Sequence, residues 1–413
     1  MFVAGFNFQP VKVDAISQAE PAQANATDWW PMFHHDLSHT GYSTSTAPKT
    51  NQTLWSYHLR GDGIYYSSPD VANGTVFIGA ISGNLYAFNA TTGNQLWNYT
   101  TSAAIESSPA IANGIVYFGS GDYNVYALNA TNGAYIWNYT TGNIITYSSP
   151  AIVNGVVYIG SDDDNLYALN ATTGKQIWTY QTEDMIASSP AVVDGIVYVC
   201  SFEGSDYNFN LYALNATTDH KIWSHPLDSP TFSSPAVVNG AVYVSCDLDV
   251  YALNATTGTQ IWSYPTGNQV LSSPAVAYGM VYVGSYDNNV YALNATTGNK
   301  VWNYTTGAYV VSSPAVAEGM VYVGGEDSHV YALNATTGTK VWSLGTLSSI
   351  WDSPTVADGV VYIGLINGTV IAFGSILKVQ EFPSYVILPL FMITTLFVAI
   401  AVEKKRKHNY PIT

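Results

Sequence analysis

Residues 272–304 read SSPAVAYGMVYVGSYDNNVYALNATTGNKVWNY, and close variants of this unit occur eight times in the chain. The proline of the unit falls at Pro69, Pro109, Pro150, Pro190, Pro235, Pro274, Pro314 and Pro354. Its tryptophan falls at Trp55, Trp97, Trp137, Trp178, Trp223, Trp262, Trp302 and Trp342. The first tryptophan precedes the first proline, and the last copy stops at Phe373 without a tryptophan segment. Because a ring needs ends that complement each other, whereas an open array needs caps, we expect residues 53–57 to complete the last copy.

Each copy has the length of one four-stranded propeller blade, about 40 residues. Asn-Gly and Asp-Gly pairs, such as Asn113-Gly114 and Asp194-Gly195, supply the positive φ angles of a tight hairpin. The middle strands are apolar on both faces, as in blades that pack against neighbours on each side. The sequence therefore predicts an all-β, eight-bladed β-propeller of four-stranded antiparallel blades over residues 28–374, with the tryptophans as wedges between blades. A parallel β-helix is the competing fold, but its coils are usually shorter and need no complementary ends.

The segment from Tyr291 to Gly298, followed by Trp302, resembles the repeat of PQQ-like (quinoprotein-like) β-propellers. Residues 30–36 and 40–43 are similar to the lead-in found before many such propellers. The family's docking motif usually has Asp where this repeat has Asn294. The resemblance implies the fold over residues 28–374. It leaves function open, because the family includes quinone-dependent dehydrogenases and non-catalytic scaffolds of outer-membrane assembly.

Catalytic residues are not evident in the repeats. The resemblance implies that a quinoprotein dehydrogenase would need a longer chain, calcium ligands beside the cofactor and usually an adjacent cysteine pair. The two cysteines, Cys200 and Cys246, are not adjacent. We therefore predict a non-catalytic binding or scaffolding propeller with no cofactor. A membrane-anchored oxidoreductase using PQQ and calcium is the first alternative.

One position per blade varies while its neighbours repeat almost unchanged, and this variation indicates a binding rim. We expect a protein or glycan partner to contact this rim at Tyr66, Glu106, Tyr147, Phe232, Trp351 and Asp352. The alternative is that these side chains only fill the central channel. A cation-binding module is a further alternative, with Asp162, Asp164 and Asp327 as candidate ligands.

The amino-acid composition limits the kind of partner that the chain can bind. Charged residues make up 10% of the chain, and the formal net charge is −16. This balance argues against nucleic acid, whose phosphates require Lys and Arg. His34, His35 and His39 have a spacing that could mimic a metal site, but no cysteine or further histidine accompanies them, which favours a solvated or packed loop. We expect a monomer.

Seven Asn-Ala-Thr turns spell glycosylation sequons at one repeat position: Asn89, Asn129, Asn170, Asn215, Asn254, Asn294 and Asn334. Glycosylation of an exported chain and simple Asx-turn chemistry both account for them.

Cys200 and Cys246 end the second strands of successive blades. Either they form a disulfide, or they are two small buried residues, since adjacent sheets pack about 10 Å apart and a disulfide needs Cα atoms within about 7 Å.

The chain ends predict a membrane anchor. Residues 384–402 are uncharged and span about 28 Å as a helix, close to the thickness of a bilayer core. Lys404, Lys405, Arg406 and Lys407 follow, which places residues 403–413 in the cytoplasm and the propeller outside. A buried core helix is the alternative. Residues 375–383 are interpreted as a stalk, in which Glu381, Phe382 and Pro383 resemble the stalk of C-terminal anchors on archaeal surface proteins. Residues 1–27 are interpreted as a flexible lead-in or the remnant of an export signal.

Overall fold

The computed structural model describes residues 28–202 and 209–374, and the regular elements in them are all β-strands. They form eight four-stranded antiparallel blades, one of which gains a short fifth strand. Blade 1 begins with the inner strand Asp70–Ala72, and the numbering follows the chain to blade 8. The eight-bladed architecture predicted from the repeats is confirmed.

The strands lie at equivalent repeat positions in every blade. The inner strands are Asp70–Ala72, Ala110–Ala112, Ala151–Val153, Ala191–Val193, Ala236–Val238, Ala275–Ala277, Ala315–Ala317 and Thr355–Ala357. The second strands are Thr75–Gly79, Ile115–Gly119, Val156–Gly160, Ile196–Cys200, Ala241–Cys246, Met280–Gly284, Met320–Gly324 and Val360–Gly364. The third strands are Asn84–Asn89, Asn124–Asn129, Asn165–Asn170, Asn210–Asn215, Asp249–Asn254, Asn289–Asn294, His329–Asn334 and Thr369–Gly374. The outer strands of blades 1–7 are Gln95–Thr100, Tyr135–Thr140, Gln176–Gln181, Lys221–Pro226, Gln260–Pro265, Lys300–Thr305 and Lys340–Gly345.

The ring closes as predicted. The strand Gln52–His58 is the outer strand of blade 8 and pairs antiparallel with Thr369–Gly374, placing Trp55 opposite Ala372. In the hairpins between inner and second strands, both central residues have positive φ, for example 52° at Asn113 and 75° at Gly114. Both angles belong to the turn type that suits the twist of a two-residue hairpin.

The tryptophans join neighbouring blades. The indole Nε1 of Trp137 in blade 2 donates to the carbonyl of Ala171 in blade 3 at 2.9 Å, and Trp97, Trp178, Trp223, Trp262 and Trp302 make the same bond to the next blade. Blade 8 lacks the Asn-Ala-Thr turn, so Trp342 donates instead to the carbonyl of Pro48 at 3.3 Å. The predicted role as an inter-blade wedge is confirmed.

A closed circle of serines links all eight inner strands. In each blade the backbone N–H of the second serine of Ser-Ser-Pro donates to the hydroxyl of the equivalent serine in the next blade, at 2.9 to 3.1 Å. The bond from Ser353 to Ser68 joins blade 8 to blade 1. These bonds join consecutive blades near the central axis, and the tryptophans join them near the outer edge of the ring.

Residues 28–47, here called the lead-in segment, cross the central channel. The backbone carbonyls of Trp30, Pro31, Leu37, Ser38, Thr40 and Gly41 accept N–H groups from the inner strands of blades 1, 2, 4, 5, 6 and 7. The strand Tyr42–Ser43 then pairs in parallel with the inner strand of blade 7. The lead-in segment is thus a part of the folded propeller that contacts most of its blades.

Cys200 and Cys246 are free and buried, so the structure has the two thiols of the second alternative and not the disulfide. Burial raises the pKa of Cys246 to about 12, and its Sγ lies 3.0 Å from the carbonyl of Ser229.

The Asx-turn geometry of the Asn-Ala-Thr segments is present: Oδ1 of Asn89 accepts the N–H groups of Thr91 and Thr92 at 3.0 and 2.9 Å. Glycan attachment there stays a prediction.

The predicted membrane helix 384–402, the stalk, the basic tail and residues 1–27 lie outside the described residues. Within residues 28–202 and 209–374 there is no helix of the length and apolarity required for a bilayer span.

Candidate binding site at the channel mouth

The loops that enter the inner strands surround one mouth of the central channel. A cavity of about 80 Å³ lies there, lined by Tyr66, Tyr147, Phe232, Leu271, Val311 and Trp351, by serines of the closed circle, and by Phe33 of the lead-in segment. Each of the six rim residues occupies the variable repeat position. The propeller fold therefore brings together side chains that lie one or two repeats apart in sequence.

Four of the predicted site residues form one aromatic network. The ring centroids of Tyr66 and Trp351 are 5.6 Å apart, those of Tyr66 and Tyr147 are 4.8 Å apart, and those of Tyr147 and Phe232 are 5.3 Å apart. The last two pairs pack edge to face, at 72° and 86°. These distances and angles are those of favourable aromatic pairs. The four side chains stay partly exposed, so the network forms a surface and not an interior core.

Carboxylates surround the network. Burial and the nearby charge of Asp162 raise the pKa of Glu106 above its ordinary value. Burial, followed by neighbouring groups that include Glu106 and Glu326, raises the pKa of Tyr66 to about 12. Burial and the charges of Glu106 and Asp162 raise the pKa of Tyr147. The mouth therefore combines aromatic rings with nearby carboxyl groups.

Asp352 is placed differently from the prediction. Its side chain is buried beneath the rim, and its Oδ2 accepts the backbone N–H of Gly364. In the other blades a serine makes this bond, as Ser312 does with Gly324. Asp352 therefore replaces the first serine of the repeat, and this internal position explains why it does not lie on the rim surface.

The acidic turns do not converge. Asp327 accepts the hydroxyl of Tyr331 at 2.5 Å and the N–H of Gly307 at 2.7 Å, so it ties adjacent loops together. Asp162 accepts the hydroxyl of Thr146 at 2.5 Å, and Asp164 lies at a left-handed turn position with φ 68°. Among the described residues, no group of three or more His, Cys, Asp or Glu side chains is arranged to hold a metal ion.

The three histidines belong to the lead-in segment. His34 and His39 are buried, and burial lowers their pKa to about 3 and about 4. Burial also opposes charge on His35, but hydrogen bonds and charges from Asp28 and Asp36 raise its pKa to about 9. Each histidine thus has a packing or hydrogen-bonding role, and of the two kinds of loop expected, solvated or packed, the structure has the packed one.

Sequence reasoning missed three neighbours of the network. Phe33 lies against the cavity, the ring of Phe202 packs 4.1 Å from that of Phe232, and Tyr65 packs 5.7 Å from Trp351. Phe33 lies outside the repeats, and Phe202 directly precedes an insertion in blade 4. Repeat comparison does not detect such residues.

The repeat, the eight blades and the inter-blade tryptophans define a β-propeller of the PQQ-like class. The sequence profile described as "Beta-alanine-activating enzyme, beta-propeller" matches residues 64–279, more than half of the chain, and the chain belongs to this propeller family. A second profile, "Outer membrane protein assembly factor BamB", matches residues 249–376. No curated protein matches the chain by sequence.

Similar solved structures support the same fold. BamB from Moraxella catarrhalis superimposes with a TM-score of 0.67 at 18% identity, over 79% of this chain and 100% of that one. Quinohemoprotein alcohol dehydrogenase from Comamonas testosteroni gives 0.73 at 17% identity, over 87% and 82%. The computationally designed Ika8 protein gives 0.68 at 17%, over 78% and 100%. At these identities the likeness shows the fold alone.

The quinone PQQ, a planar tricarboxylate, does not fit this mouth. Cofactor pockets usually enclose about 300–1,000 Å³, whereas this cavity measures about 80 Å³. Among the described residues no Lys or Arg lines it, and the nearby Glu106 and Asp162 would repel an anion. The lining therefore suits a ligand group that is small and not negatively charged.

Proposed function

We propose that this chain is a non-catalytic binding propeller that captures a protein partner at the channel mouth. The observation that carries the proposal is the aromatic network of Tyr66, Tyr147, Phe232 and Trp351, assembled around a cavity at the variable repeat position. Clustered, half-buried aromatic side chains are typical energetic centres of protein interfaces. The similarity to a profile named for an assembly factor supports a scaffolding role.

A protein suits the mouth better than a glycan does. Sugar rings stack on open, flat aromatic faces, whereas Tyr66, Tyr147 and Phe232 pack edge to face and so cover parts of one another's faces. Side chains that project from a protein can enter the small cavity between such rings. We keep a protein partner as the proposal and make glycan binding an outcome of the tests.

The oxidoreductase and cation-module alternatives have weaker support. The mouth does not fit PQQ in volume or charge, and Asp327 is occupied by internal hydrogen bonds. PQQ- and calcium-dependent dye reduction would favour the first alternative. A rise in melting temperature with added calcium would favour the second.

We also propose display of the propeller outside the cell. The support is the uncharged run 384–402 followed by Lys404, Lys405, Arg406 and Lys407. Protease added to intact cells should then degrade the propeller, and complete protection would reverse this topology.

The full-length chain, affinity-tagged and cross-linked in the cells that produce it, tests the binding function. Replacing Tyr66, Tyr147 and Trp351 together by Ala should abolish capture of a reproducible partner and change the melting temperature little. Tyr135→Ala is the matched control, because Tyr135 is an exposed aromatic residue on the outer strand of blade 2. Retained capture with a large loss of stability would show that the three rings are core residues and that the site lies elsewhere.

A further inference from the structure

The carboxyl groups at the mouth have no cationic partner among the described residues. The ion pairs among the described residues join His35 to Asp28 and Asp36, Lys49 to Glu318, His220 to Asp219 and His329 to Asp327. None of them involves Glu106, Asp162 or Glu326. One oxygen of Asp162, Oδ1, is buried and has no hydrogen-bond partner. A positively charged group from outside can therefore pair with carboxyl groups that form no ion pair among the described residues.

Four lysines of the repeats lie at the other face, whereas Arg60 lies on the mouth side, in the loop that enters the inner strand of blade 1. Lys221, Lys300 and Lys340 begin outer strands, and Lys175 directly precedes one, beside the Asn-Ala-Thr turns. The mouth loops lie at the opposite ends of these strands. The distribution orients a positively charged partner toward the mouth and away from the turn face.

The rings at the mouth provide a second attraction. Tyr66 and Trp351 are tilted at 42° with centroids 5.6 Å apart and stay partly exposed. A cation over the face of a Trp or Tyr ring is attracted by the ring quadrupole. The indole Nε1 of Trp351 is buried and has no acceptor among the described residues.

We propose that the mouth binds an arginine side chain of the protein partner, with its guanidinium against the rings of Tyr66 and Trp351 and paired with Glu106 and Asp162. Arginine suits this site better than lysine because its planar group stacks on aromatic rings and donates two parallel hydrogen bonds to a carboxylate. The cavity of about 80 Å³ matches the end of one side chain. This inference rests on the proposed binding function and names the group that is recognised.

The test uses the full-length protein labelled with 5-fluorotryptophan, in which the ¹⁹F resonance of Trp351 is assigned from the Trp351→Phe variant. The probes are the capped tripeptides Gly-Arg-Gly, Gly-Lys-Gly and Gly-citrulline-Gly at up to about 10 mM, tenfold above a millimolar Kd. Citrulline keeps the shape of arginine without its charge. We expect the arginine peptide to shift the Trp351 resonance, the lysine peptide to bind more weakly, and the citrulline peptide to leave the resonance unchanged.

The combined variant Glu106→Gln with Asp162→Asn should weaken arginine-peptide binding about tenfold or more, as expected for lost contacts to charged groups. Asp219→Asn is the matched control, because Asp219 follows the Asn-Ala-Thr segment of blade 4 on the opposite face, and it should bind like the unaltered protein. Equal binding of citrulline and arginine peptides, unchanged binding by the combined variant, or no shift with arginine would overturn the inference.

The two proposals fail in different ways. If the Glu106→Gln, Asp162→Asn variant still captures the partner but the triple Ala variant of Tyr66, Tyr147 and Trp351 does not, the binding function stands and the arginine inference is refuted. Capture that survives both sets of changes refutes the binding function itself.

Discussion

Asp70 occupies a position in blade 1 where six other blades have alanine and blade 8 has Thr355. Its side chain is fully buried, and neither carboxyl oxygen has a hydrogen-bond partner among the described residues. Burial raises the pKa of Asp70 well above its ordinary value. The equivalent Thr355 donates its hydroxyl to the carbonyl of Pro69 in the next blade.

Replacing Asp70 by Ala should stabilise the propeller. An unpaired buried polar group costs about 1–3 kcal/mol, and the alanine of the other blades removes it. For a domain of this size we expect a rise in melting temperature of roughly 1–4 °C. Thr355→Ala is the matched control at the same repeat position. It loses a hydrogen bond and should lower the free energy of unfolding by about 0.5–1.5 kcal/mol.

The effect of Asp70→Ala should grow with pH. The unfolded chain releases this proton near pH 4, whereas the folded protein retains it to a higher pH. The stability of the unaltered protein therefore falls by about 1.4 kcal/mol per pH unit from this group between the two pKa values. Denaturant unfolding of the full-length protein at several pH values from 4.5 to 7.5 measures this difference. A destabilised Asp70→Ala protein, or a difference independent of pH, would show that Asp70 is charged and paired and would refute the reasoning.

Three further changes test the ring and the thiols. Deleting residues 1–60 should remove the outer strand of blade 8 with the lead-in segment and abolish cooperative unfolding; unchanged melting would disprove closure by the N-terminal strand. Ser353→Ala removes the acceptor at one link of the serine circle and should cost about 1–2 kcal/mol in denaturant unfolding, whereas equal stability would mean that water replaces the hydroxyl. Cys200 and Cys246 should both react with a thiol reagent after denaturation without reductant; a mass two hydrogens lower and no reaction would demonstrate a disulfide.

The repeats could be predicted because the types of their side chains, which the sequence gives directly, determine the blades and hairpins. The out-of-phase ends predicted the pairing of Gln52–His58 with blade 8, and the Asn-Gly pairs predicted the hairpins. Comparison of the eight copies shows which repeat positions stay constant, and these positions define the scaffold. The variable position then identified the rim residues Tyr66, Tyr147, Phe232 and Trp351, which the fold brings into one network.

The features that the sequence did not predict depend on main-chain contacts or on how deeply a side chain is buried. The lead-in segment contacts the inner strands through backbone carbonyls, which have no residue signature. Asp352 follows the variable Trp351, but its own repeat position points inward to the N–H of Gly364, so it does not lie on the rim as predicted. Asp70 departs from the repeat visibly in sequence, yet only its burial shows that the departure is costly.

The aromatic residues at the mouth could in principle serve only to close the channel, and the structure bears on that alternative. The lead-in segment already crosses the channel and places Phe33 against the inner side of the cavity. If the rim rings served as a plug, close packing should leave neither a cavity beneath them nor an unpaired buried donor. Instead a cavity of about 80 Å³ remains, and the Nε1 of Trp351 has no acceptor. The rim therefore has unfilled volume next to carboxyl groups that form no ion pair among the described residues, and this arrangement supports the proposed binding of a partner side chain over a simple plug.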